Sequence, residues 1–230
     1  MFELPEIQNL LREELALLPL HAVRQPRGRA LLIRPSGSAR SLAADTRHLT
    51  PTELHADGAL LRGDVVCAPG ALPWEDESFQ LVFAQHVGDA LPGDAGFVDE
   101  IARVMAPGSL MLWFGFNPWS PWLAWMHWRM RGGGSVPQTQ HADSLRRRLQ
   151  RAQLATLTVD YLGGCWPRRT DASTSDTSTR HRLLAPLHGS YLVAARKQRA
   201  VLTPLRPRAV RNGVALGARL AGTPSRRACA

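Results

Sequence analysis

The chain has 230 residues, 44% of them hydrophobic, and a formal net charge of +9, which is enough apolar material for one full core and a tail. No stretch approaches the roughly 18–20 apolar residues of a membrane span. MFELPEIQNLLREELALLPL carries acid where a secretory signal would carry base, and no repeat points to a solenoid. The cysteines Cys67, Cys165 and Cys229 are odd in number and lack metal-ligand spacing, so neither a disulfide framework nor a metal site is expected, and a reduced, cytoplasmic protein is.

In chain order, residues 4–17 place Leu4, Ile7, Leu10, Leu11, Leu15 and Leu17 at mainly helical spacing, predicting an amphipathic opening helix. ALLI at 30–33, DVVCA at 64–68 and FQLVFAQH at 79–86 read as buried strands. DAGFVDEIARVM at 94–105 has a helical period closed by Pro107-Gly108, and SLMLWFGF at 109–116 is a further strand. Ser120 with Pro121 caps a helix in which Trp119, Trp122, Trp125 and Trp128 recur every third residue, a spacing that turns some indoles outward. That segment suits a lid over a cleft, an interfacial patch seated by Arg129 and Arg131, or an aromatic helix packed on a sheet. A helix near 141–153 and strands at 154–160 and 189–195 follow, and the polar run 170–180 reads as a loop. Apolar strands alternating with helices predict an α/β doubly wound, Rossmann-like domain with a seven-stranded, mostly parallel sheet, whose ligands sit at the carboxyl ends of the strands.

The excess charge is local. From Arg196 onward there are nine basic residues and no acidic one, so residues 1–195 balance at 19 of each sign. The expected division is therefore a neutral domain over 1–195 and a basic, Pro-, Gly- and Ala-rich extension over 196–230, without periodicity and of disordered type. Such an extension suits either a solubilising role or non-specific attraction to nucleic acid or an anionic membrane surface.

Residues 71–118 carry a resemblance. Leu72, Pro73, Trp74, Glu77, Ser78 and Phe79, then His86, then Glu100, Arg103, Val104, Pro107 and Gly108 resemble the central motifs of the class I S-adenosylmethionine-dependent methyltransferases of the type-11 group. GFNPWS and the basic tail are similar to a small set of proteobacterial methyltransferase-like proteins. The resemblance implies methyl transfer from S-adenosylmethionine to an acceptor that the residues leave open. It implies cofactor contacts from Ser36, Gly37, Ser38, Leu72, Gln85 and His86, with His86 also the candidate proton acceptor. The family's D/E-x-G-x-G-x-G turn after the first strand is altered: Ile33 stands for the acid, Pro35 for the first glycine and Ala39 for the third. Ala68 falls where an adenine-binding aspartate is usual, and Gln80 where the SF-loop has Asp. Glu53 and Asp57 are the candidates for the ribose-binding acid, and Asn117-Pro118 resembles a pair that holds target nitrogens, though after a different strand. Two readings stay open: an active methyltransferase, or a pseudo-methyltransferase kept for binding.

Overall fold

The computed structural model describes residues 1–37, 48–91, 96–131, 133, 137–167 and 185–198. Helices α1 (Pro5–Leu15) and α2 (Leu18–Ala22) lead into β1 (Gly28–Arg34), β2 (Leu49–Asp57), β3 (Leu60–Gly63) and β4 (Phe79–Gln85). The short α3 (Val87–Ala90), α4 (Phe97–Val104), β5 (Met105–Phe116), α5 (Pro121–Arg129), α6 (Ala142–Arg151), β6 (Leu154–Leu162) and β7 (Ser190–Lys197) complete the order. Among the described residues seven strands form one sheet in the order β3-β2-β1-β4-β5-β7-β6. β2, β1, β4 and β5 run parallel, while β3, β7 and β6 join antiparallel. This is the doubly wound α/β architecture expected, with the ligand edge at the carboxyl ends of β1 and β4.

Alternation along the strands sends side chains to two apolar layers. Ile33, Leu54, Val82, Ala84 and Met111 pack with α3, α4 and α6 on one face. Leu32, Leu49, Phe83, Leu112 and Phe114 pack with α1 and α2 on the other. The central strands are covered on both sides, which is why they read as unbroken apolar runs.

Four expectations need correction. DVVCA is not a buried strand: Val66 is exposed, and Cys67 and Ala68 make only isolated bridges to Leu61 and Ala71. The third strand is Leu60–Gly63 instead, because a two-residue turn at Gly58 (φ +62°) folds it straight back on β2, leaving no room for the crossover a parallel strand requires. β2 itself was not anticipated. Pro51 within it is tolerated because β3 covers only Leu54–Asp57 and leaves that stretch of β2 on an open edge. Finally, Arg196 and Lys197, expected to begin the basic extension, belong to β7. The Lys197 ammonium donates to the Met105 carbonyl at 2.7 Å, which fixes the start of β5. Of the extension, residues 199–230 lie outside the described residues, as do Ser38, Ala39 and the 170–180 run.

Candidate functional site

The carboxyl edge of β1 begins the site. Ile33 is fully buried between Leu54 and Ala84, so the position at which a turn of this kind would present an acid has become part of the apolar layer. Arg34, almost wholly buried, donates to Glu53 Oε2 at 2.6 Å. Glu53 is thus an ion-pair partner of β1, and Asp57 pairs with Arg62 at the exposed hairpin. Next along the chain, Pro35 is buried and the Ser36 hydroxyl is buried with no hydrogen-bond partner among the described residues. Gly37 is exposed, and a Cβ there would stand 3.0 Å from His55 Nε2, so the imidazole of β2 lies against the turn.

At the carboxyl edge of β4 the polar groups are already engaged. The Gln85 amide donates to the Leu11 carbonyl at 2.7 Å and to Glu14 Oε2 at 3.0 Å. His86 takes the left-handed backbone conformation (φ 49°) before α3, and its ring is fully buried. Nδ1 lies 2.8 Å from Asp89 Oδ2 and Nε2 lies 3.0 Å from Glu14 Oε1. A neutral imidazole has one N–H and could satisfy only one of these carboxylates, whereas the imidazolium satisfies both. Burial works against that charge, but the Glu14 and Asp89 carboxylates overcome it and carry the His86 pKa up to about 9. Burial raises the Asp89 pKa, against the pull of His86 and of the Phe116 N–H that also donates to Asp89 at 2.9 Å. Ser190 Oγ donates to Glu14 Oε1 at 2.6 Å. Phe116 packs on the His86 ring with centroids 4.0 Å apart, and Phe2 stacks on Phe116. Together α1, β4, α3, β5 and β7 meet in one buried polar knot.

Glu14 was missed by sequence reasoning, yet its signal was present. It falls seven residues after Ile7, four after Leu10 and three after Leu11, on the apolar stripe of α1, where a carboxylate needs partners. The histidine expected to meet a reacting group is instead clamped by two carboxylates.

The 71–78 loop is tied to α4 by Arg103. Its guanidinium donates to the Leu72 and Trp74 carbonyls at 3.0 and 2.9 Å and to Glu100 and Asp76, and Glu100 Oε1 accepts the Leu72 N–H at 3.0 Å. The Arg103 hydrogen bond holds the Glu100 pKa below the usual carboxylate range. Leu72 is buried with both backbone polar groups used, and Trp74 sits edge-on to Phe79 at 5.2 Å. Ala68 is exposed with no side-chain acceptor, and Gln80 instead covers Gly28, whose added Cβ would meet Gln80 Cγ at 2.6 Å. Asn117 braces its own turn: Nδ2 donates to the Pro186 and His188 carbonyls and Oδ1 accepts the Trp119 N–H.

Residues 33–113, from the end of β1 into β5, match a family described as a methyltransferase domain. An S-adenosylmethionine-dependent methyltransferase from Archaeoglobus fulgidus superposes with a TM-score of 0.56 at 14% identity, covering 81% of this chain and 94% of that one. This is the class I methyltransferase fold. A Bacillus halodurans protein assigned as a methyltransferase gives 0.51 at 14% identity, over 82% of this chain and 99% of that one. No curated protein matches the chain.

A fold of this kind implies S-adenosylmethionine, and the edge at β1 has chemistry that fits such a group: a buried serine hydroxyl has no partner among the described residues, and a glycine follows it. Among the described residues no group of three or more His, Cys, Asp or Glu is arranged to hold a metal ion. No described helix is long and apolar enough to cross a membrane.

Proposed function

We propose that the chain is a cytoplasmic S-adenosylmethionine-dependent methyltransferase that holds its cofactor through backbone and small side chains where acids are usual. The observation that carries this is the buried Ser36 hydroxyl at the carboxyl end of β1, without a partner among the described residues, inside the span that matches the methyltransferase domain family. A buried hydroxyl without a partner costs about 1–3 kcal/mol, which a ligand's polar group would recover. S-adenosylmethionine, when bound, supplies an electrophilic methyl on its sulfonium sulfur. Ser36 and the Gly37 backbone would receive the ligand, Leu72 would line its apolar part, and the backbone of Gln85 and His86 would form the floor near β4. His86 then acts as a positioning residue, fixing the turn after β4, because its ring is committed to Glu14 and Asp89. Methyl transfer is an in-line displacement that needs orientation more than a base, so the clamp is compatible with turnover.

A second reading rests on a different observation. Ile33 is built into the core where an acid is usual, which favours a pseudo-methyltransferase serving as a binding protein. Losing two charged hydrogen bonds, each worth roughly 1.5–3 kcal/mol, weakens binding by about a hundredfold or more. Calorimetric titration with S-adenosylmethionine and with its demethylated product separates the two. Saturable binding in the micromolar range, weakened about tenfold by Ser36→Ala, supports the first; absence of both heat and thermal shift at millimolar ligand establishes the second.

A further inference from the structure

We infer that α6 and Trp119 form a docking surface for single-stranded nucleic acid. Trp119 leaves the carboxyl end of β5 with its indole 73% exposed. That exposure is built rather than incidental. The Trp119 N–H donates to Asn117 Oδ1 at 3.2 Å, and Asn117 is buried and held by the Pro186 and His188 carbonyls. The indole lies against His141, the residue that opens α6, with ring centroids 5.6 Å apart. α6 buries Leu145 and Leu149, and its opposite face presents Arg146, Arg147, Gln150 and Arg151. From His141 to Arg151 the helix rises about 15 Å. An exposed aromatic platform therefore stands at one end of a row of guanidinium groups.

Base stacking on an aromatic, with cations tracking the backbone, is how unpaired strands are held without sequence preference. Arginine suits the role through its fork of donors. The only acid on the outward face is Asp143, 3.9 Å from Arg146, too loose a pair to neutralise the row. A lipid surface fits less well, because an interfacial helix needs apolar side chains on its outward face and α6 has none there. The surface is independent of cofactor binding, although it opens at the same edge of the sheet as Ser36 and Gln85.

The test is fluorescence anisotropy of the full chain with a labelled single-stranded RNA, and the DNA of the same sequence, about 12 nucleotides long so as to span one such site. Trp119→Ala should weaken binding about 5- to 150-fold, the value of one stacked base. Changing Arg146, Arg147 and Arg151 to Gln together should lower the slope of log affinity against log salt by about 2. All four side chains are exposed, so melting midpoints should match the wild type. The inference is overturned by variants that bind as the wild type does, by a wild type that binds neither strand at low salt, or by binding to phosphatidylglycerol vesicles without binding to the oligonucleotides.

Discussion

Glu14→Gln should loosen the N-terminal helix from the sheet and flatten the pH dependence of stability. In the wild type His86 moves from an ordinary value of 6.5 to about 9 on folding. A group whose pKa is raised by folding gives its full stabilisation below 6.5 and loses it as pH rises through 9, here about 3 kcal/mol. Asp89, raised by burial, changes stability in the same direction and cannot reverse the sign. The variant replaces one of the two carboxylates around a buried imidazolium by a neutral amide. Breaking a buried pair in this way costs about 3 kcal/mol or more, a fall of about 6–12 °C in midpoint for a chain of this size. Denaturant unfolding at intervals from pH 6 to 9.5 measures both quantities. The wild type should lose about 3 kcal/mol across that range, while the variant should start lower and lose less than half as much. A wild type whose stability is flat from 6.5 to 9, or a variant that keeps the full slope, would refute the imidazolium clamp.

Arg103→Met removes the ties from α4 to the Leu72 and Trp74 carbonyls and should cost about 2–3 kcal/mol, with faster protease cleavage within residues 71–78 as the check. Ile33→Asp places an acid at the position where the methyltransferase turn it resembles has one, yet the site is fully buried between β2 and β4. It should lower stability by about 3 kcal/mol or more in chemical denaturation without raising affinity for S-adenosylmethionine. Ser120→Ala deletes the cap that accepts the Trp122 N–H at 3.2 Å, and a loss of about 1 kcal/mol in the same assay is expected.

The strands legible in the sequence are those buried on both faces. β1, β4 and β5 are continuous apolar runs, and the sheet's two layers demand nothing else of them. β2 reads poorly because its outward positions hold Thr50, Pro51 and Glu53, which an edge-like stretch tolerates but a periodicity argument discounts. β3 was sought one segment late, since Val65, Val66 and Cys67 look more strand-like than Leu60–Gly63; the Gly58-Ala59 turn that decides the matter is a local signal outweighed by composition. The site was legible in the same uneven way. Residues 71–79 and His86 were found through their motif, whereas Glu14 lies 72 positions from its partner. Only the fold brings them together, and only a charge misplaced on an apolar stripe announces it.

The burial of Ile33 constrains what the neighbouring turn can bind. Had an acid been lost from an open pocket, a hole would remain, but this position is filled by a side chain shared between the β2 and β4 interfaces. Among the described residues, the groups that follow at this edge are the Ser36 hydroxyl and the Gly37 backbone, both neutral, with Arg34 and Glu53 pairing each other alongside. Hydrogen bonds from neutral groups are weakly screened compared with exposed ion pairs. Cofactor affinity should therefore vary little with salt, while strand binding along α6 should fall steeply with it. The two proposed kinds of binding can thus be separated in one titration series on one protein sample, without any substitution.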